Sequence, residues 1–152
     1  MAETDEKVGE NLQEANLAST DRARLVWESK ITDKTTASRA AGSDMTAPLF
    51  QRAAENGWRI YFLGGAAGMA EATAIKAKNE FPGLQLAGAE GPITNLGNHA
   101  ETMKVVSRIK DKYCDLLLVG LGCPKQELFL STYLEESGAK VGIGVGGFFD
   151  FI

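Results

Sequence analysis

Apolar residues along this chain follow two alternating rhythms: short continuous runs, and longer stretches in which they recur every three or four positions. Residues 58–63, 84–87, 116–119 and 141–145 are compact apolar runs punctuated by glycine, the pattern of strands buried on both faces. Between them, Met69, Ala72, Thr73 and Ala77 fall on one helical face, as do Met103, Val106, Ile109 and Tyr113, and a further helix is predicted over 124–137. Phe81-Pro82-Gly83 and Gly138 supply stops. Upstream, Ser43 or Asp44 is placed to cap a helix carrying Met45, Leu49, Phe50 and Ala53, with Pro48 admissible only in its first turn and Gly57 ending it. Residues 88–98, holding Gly91, Pro92 and Asn95, read as a loop. Strands separated by helices at this spacing require parallel pairing through right-handed crossovers. The predicted fold class is therefore α/β, a Rossmann-like open parallel sheet with helices on both faces.

Composition narrows this picture. A chain of 152 residues with 44% hydrophobic content builds one core of ordinary size. Residues 1–20 are polar and acidic, with Val8, Leu12, Ala15 and Leu17 too sparse to demand a core, so this segment is expected to be the least ordered. The domain is read as 21–152, with Leu25, Val26 and Trp27 docking on its body. Sixteen basic against twenty acidic residues give a net charge of -4, which argues against a nucleic-acid surface and against a polybasic membrane patch. Cys114 and Cys123 have neither metal-ligand nor Cys-x-x-Cys spacing, so no metal is expected and a reducing cytosol is. No apolar run approaches the roughly 20 residues of a spanning helix, and the acidic start is unlike a signal peptide; the expected location is cytoplasmic.

Candidate chemistry follows from where the turns must fall. In a parallel sheet every strand-to-helix turn lies on the carboxyl edge, so 64–68, 88–95, 120–126 and 144–150 should meet at one crevice. Helix N-termini and glycine turns there suit a phosphate. The stretch Gly120-Leu121-Gly122-Cys123-Pro124-Lys125-Gln126-Glu127 is the centre of this reading: Gly-x-Gly ends a buried strand, and Pro124 opens a helix whose free N–H groups point outward. The same residues also describe a plain tight turn with a solvated helix start. A nicotinamide dinucleotide is poorly matched, because Gly64-Gly65-Ala66-Ala67-Gly68 is not Gly-x-Gly-x-x-Gly and neither Gln85 nor Glu90 falls cleanly at a strand end; no Gly-Lys-Ser/Thr marks a P-loop. His99, after Asn98, reads as a capping or exposed residue. Cys123, with no histidine near it in sequence, does not read as a nucleophile.

These motifs together resemble a known family. Gly64-Gly65 after a strand, Phe81-Pro82-Gly83, residues 115–122 with Pro124-Lys125-Gln126-Glu127, and Gly144-Val145-Gly146-Gly147 with Phe149-Asp150-Phe151 look like the WecG/TagA/CpsF glycosyltransferases. Residues 39–44 are similar to that family's Arg-x-x-Gly-x-Asp element. The resemblance implies transfer of an N-acetylmannosamine-type sugar, with inversion and without a cofactor, from a UDP-sugar donor to a lipid-diphosphate-linked N-acetylglucosamine acceptor during cell-envelope polysaccharide or teichoic-acid synthesis. It makes Arg39 the guanidinium facing the leaving diphosphate. It also aligns Asp21 with the general base, although Arg22 and Arg24 stand where the family prefers glycine, and a helix-capping aspartate reads equally well. Gly64, Gly65, Gly91, Gly122, Pro124, Lys125 and Gln126 become substrate-binding candidates, with Asp150 as an acceptor for uracil or ribose, whereas Glu127 leans structural.

The resemblance further implies a first strand that residues 1–20 do not match and an arginine-bearing tail beyond Ile152 that engages the membrane, so a chain truncated at both ends is the expectation, with peripheral membrane contact only if that tail is supplied. The alternative is a noncatalytic remnant that keeps the nucleotide crevice or fold as a binding or assembly module. A homo-oligomer is compatible with either reading.

Overall fold

The computed structural model describes residues 42–146. Within them the order is α1 (Gly42–Asn56), β1 (Arg59–Gly64), α2 (Met69–Glu80), β2 (Gln85–Glu90), α3 (His99–Lys112), β3 (Leu116–Gly120), α4 (Lys125–Ser137) and β4 (Val141–Gly144). The strands form a four-stranded sheet in the order β2-β1-β3-β4, every pair parallel. The α/β architecture with both faces covered is thus observed.

Alternation along the central strands divides the core into two layers. Ile60 and Phe62 of β1 and Leu116 and Leu118 of β3 face Phe50 and Ala53 of α1 and Ala70, Ala74 and Ala77 of α2. Tyr61, Leu63, Leu117 and Val119 face Val105, Val106 and Ile109 of α3 and Phe129 and Tyr133 of α4. Consecutive residues on a strand point to opposite faces, so a run without polar positions is what a strand covered on both sides requires. The connection from β1 to β2 steps one way across the sheet, and those from β2 to β3 and β3 to β4 step the other way. Right-handed crossovers then place α2 on one face and α3 and α4 on the other, as found. The chain therefore reverses its direction of travel between β1 and β3.

Tertiary context moves several sequence expectations. Strand β2 does not stop at Ala87 but runs on to Glu90, because a bulge after the Ile60–Leu86 pair sets Gly88 opposite Tyr61. The Tyr61 ring lies over that glycine, and a Cβ there would sit 2.7 Å from ring carbon Cε2. Helix α1 begins at Gly42, so Ser43 and Asp44 fall inside it and Pro48 in its second turn. Burial of Phe50, edge-to-face with Phe62 and Phe81 at 5.9 Å each, and of Ala53 outweighs the hydrogen bond that the exposed Pro48 forgoes. Ala72 is exposed while Ala70 and Ala74 are buried, a rotation of the predicted α2 face. Tyr113 is not on the buried face of α3: it is 80% exposed and forms the left-handed C-cap at φ 54. Pro124 is the N-cap of α4 rather than its first helical residue, and the bond from Cys123 to it is cis.

The amino edge of the sheet is tied by Asp115. Its Oδ2 accepts from Arg59 N at 2.9 Å, its Oδ1 pairs with Lys140 Nζ at 3.0 Å, and its carbonyl accepts from the N–H groups of Lys140 and Val141. Arg59 in turn donates from its guanidinium to the carbonyls of Tyr113 and Lys112 at the end of α3, where cations oppose the helix dipole. These bonds hold the amino edge and leave the carboxyl edge to its turns.

Candidate nucleotide crevice at the carboxyl edge

The reversal between β1 and β3 is a topological switch point, the place in an open parallel sheet where a ligand crevice is expected beyond the strand ends. Gly64 and Gly120, the last residues of those strands, are register partners. Gly65 N donates to Gly120 O at 2.8 Å, which locks the two turns together. Gly64 sits at φ 114 and Gly65 at φ 72, and a Cβ on Gly64 would lie 2.6 Å from the carbonyl carbon and oxygen of Gly120. Only glycine lets the backbones approach this closely. Gly122, at φ 80, has nothing within 4 Å of its Cβ position, so its turn borders open space.

Helix N-termini at this edge differ in a way that bears on ligand binding. The first turn of α3 is capped by Asn98, whose side-chain oxygen accepts from Glu101 N at 3.2 Å. Helices α2 and α4, which start from the β1 and β3 turns, have Gly68 and Pro124 at their N-caps and no side-chain cap. The two helix starts flanking the switch point thus lack a side-chain cap, with one first-turn N–H of each taken by a turn carbonyl, Met69 N by Ala66 O at 3.0 Å and Gln126 N by Gly122 O at 2.8 Å, and the others left to a ligand. Gly91 joins them, its Cβ position 3.8 Å from Ala67 Cα.

Gln126 is buried in the first turn of α4. It is 6% exposed, its Nε2 donates to Glu127 Oε1 at 3.1 Å, and its Oε1 accepts from Gly146 N at 2.9 Å. Lys125, one residue earlier, is exposed, and Val145 N extends the β3 pairing by donating to Val119 O. Thus Gly64, Gly65, Gly91, Gly122, Pro124, Lys125 and Gln126 all lie along the carboxyl edge. Asp21, Arg39 and Asp150 fall outside the described residues. Among the described residues no group of three or more His, Cys, Asp or Glu side chains is arranged to hold a metal ion, and no helix is long and apolar enough to cross a membrane.

Two features were not legible in the sequence. Glu90 does end β2, where a ribose-binding acid would stand, but its carboxylate is engaged by the Arg108 guanidinium and by Tyr61 OH at 3.1 Å. His99 is exposed as expected, yet its Nδ1 meets Tyr133 OH at 2.9 Å and the rings stack at 5.8 Å, joining α3 to α4. No local pattern signals either contact, since the partners are 18 to 34 positions apart.

Comparison with known proteins agrees with the motifs. The family model described as "Glycosyl transferase WecG/TagA/CpsF family" matches residues 1–152. The chain is 31% identical over 139 residues to an N-acetylglucosaminyldiphosphoundecaprenol N-acetyl-beta-D-mannosaminyltransferase of Bacillus spizizenii, covering 91% of this chain and 52% of the relative. Proteins of the same description from Bacillus subtilis and Staphylococcus aureus are 29% and 28% identical over the same shares of each chain. The chain spans about half the length of the curated relatives it matches.

Proposed function

The chain belongs to the WecG/TagA/CpsF glycosyl transferase family, and on that premise we propose that it moves an N-acetylmannosamine-type sugar from a UDP donor to a lipid-diphosphate-linked N-acetylglucosamine, inverting the anomeric centre. The setting is cell-envelope polysaccharide or teichoic-acid synthesis at the inner face of the membrane. The observation that carries this reading is the pair of uncapped helix starts on either side of the β1/β3 switch point. A diphosphate is the ligand such a crevice favours, because backbone N–H groups and two helix dipoles meet its charge without a bulky side chain between them.

In this reading Gly64, Gly65, Gly91 and Gly122 let the backbone approach the diphosphate, and Pro124 and Lys125 present the start of α4 to it. Gln126 keeps a second amide proton beyond the one given to Glu127, and we assign it to the donor. As the bond from the anomeric carbon to the UDP oxygen breaks, charge grows on the leaving group. The Arg39 guanidinium and the backbone donors oppose it, each such donor contributing on the order of 3 kcal/mol. The acceptor hydroxyl forms the new glycosidic bond from the opposite face and gives its proton to Asp21. Asp150 accepts from the uracil or ribose.

Titration calorimetry with UDP and a melting scan at saturating UDP test the nucleotide site. At a hundredfold excess over Kd the native state gains about 2.7 kcal/mol, a readily measured rise in Tm. Absence of both heat and shift refutes the reading. Single-turnover transfer to a lipid-diphosphate acceptor tests the chemistry, and UDP binding without transfer would refute the transferase role and leave a binding module.

A further inference from the structure

We infer that Glu127 is a positioning residue of the crevice: its carboxylate sets which way the Gln126 amide faces and thereby anchors Gly146, where the glycine-rich segment after β4 begins. The inference rests on the nucleotide reading above and deepens it by assigning a role to a residue that does not itself touch the ligand.

The two ends of a glutamine amide have nearly the same shape, so its orientation is decided by its partners. At Gln126 the partners are opposite in kind. Glu127 Oε1 can only accept, and Gly146 N can only donate. With Nε2 toward the carboxylate and Oε1 toward Gly146, both hydrogen bonds form; turned over, the amide would set oxygen against oxygen and N–H against N–H. Gly144 provides the space, since a Cβ on it would lie 2.9 Å from Gln126 Nε2. The first turn of α4 is joined in this way to the chain leaving β4, across the carboxyl edge.

The other carboxylate oxygen argues that this is not a device for stability. Glu127 Oε2 is buried and has no hydrogen-bond partner among the described residues. A buried acceptor left without a partner weakens a fold. Residues that cost stability in this manner are characteristic of functional sites, where orientation matters more than the local balance of energies. The orphaned oxygen is the expense of presenting its twin to Gln126.

The test compares the unaltered protein with Glu127→Gln and Glu127→Leu, using hydrogen exchange at the Gly146 amide and UDP titration. Glutamine at 127 still offers a carbonyl to Gln126 Nε2, so both readouts should stay within about threefold of the unaltered chain. Leucine offers nothing. Gly146 exchange should quicken and UDP binding weaken, each by about tenfold, the loss of one hydrogen-bonded restraint. Unchanged exchange and affinity in Glu127→Leu would overturn the inference. So would a Glu127→Gln protein that loses UDP affinity while Gly146 stays protected, because that pattern marks a direct ligand contact. If the leucine protein does not fold, Gly144→Ala presses a methyl against the Gln126 amide with Glu127 intact and should also release Gly146; retained protection there overturns the clamp. Failure of the unaltered chain to bind UDP would refute the nucleotide reading alone, and the exchange data would still decide the clamp.

Discussion

Replacing Gly64 by alanine imposes two separable penalties at the point where β1 and β3 part. The first is conformational, because φ 114 is a region that side-chain-bearing residues rarely adopt, and holding one there costs about 1–3 kcal/mol. The second is steric. The new Cβ would meet the carbonyl carbon and oxygen of Gly120 at 2.6 Å and Leu121 N at 3.0 Å. These are backbone atoms of the partner strand and its turn, so no rotamer change relieves the overlap and the β1–β3 pairing must open, at about 1–3 kcal/mol. Together they give about 2–6 kcal/mol, a large part of the 5–15 kcal/mol by which domains are ordinarily stable.

Gly68→Ala is the internal control, since Gly68 has φ 82 and nothing within 4 Å of its Cβ position. It should show only the left-handed penalty of about 1–2 kcal/mol. Urea unfolding followed by circular dichroism, with linear extrapolation and an unchanged m-value, measures both. If Gly64→Ala cost no more than Gly68→Ala, the close approach of the two strand ends would be wrong, and the geometry of the crevice with it.

Three further outcomes follow from the polar groups. Burial, and then the adjacent Glu90 carboxylate, push the Tyr61 phenol well above its ordinary 10.0, so the unfolded chain loses this proton first. The associated stability is complete below pH 10 and declines as pH rises further; Tyr61→Phe should flatten that alkaline slope in urea titrations. Burial likewise pushes the Cys114 thiol from 9.0 up to about 11, whereas Cys123 is exposed. A thiol-specific disulfide reagent near neutral pH should titrate Cys123 in the folded protein and reach Cys114 only on unfolding, and rapid reaction of both would refute the burial. The Arg59 backbone N–H, followed by Lys140, holds the Asp115 carboxyl below its ordinary 3.8, so its contribution is present above that pH and lost as pH falls through the folded value. Asp115→Asn should lower stability at neutral pH by about 1 kcal/mol or less and soften the acid limb, as followed by fluorescence-monitored unfolding.

By itself the sequence determined the alternation of strands and helices, and with it a parallel sheet whose turns gather on one edge. Apolar runs such as 116–119 and stops such as Gly138 act over a few residues, so local pattern is enough to specify them. It likewise determined that Gly64, Gly91 and Gly122 share the carboxyl edge, because connectivity assigns every strand-to-helix turn of a parallel sheet to that edge. Tertiary structure decided whatever depends on a distant neighbour. Gly88 belongs to a strand because a bulge after the Ile60–Leu86 pair sets it opposite Tyr61, whose ring leaves no room for a side chain there. The Glu90 carboxylate is taken by Tyr61 and Arg108. The Gln126 amide is fixed by a glutamate beside it and by Gly146, twenty residues on. The physical reason is common to all three: a hydrogen bond or a close packing contact depends on ångström-scale position, and that position is set only when strands and helices from separate parts of the chain have docked.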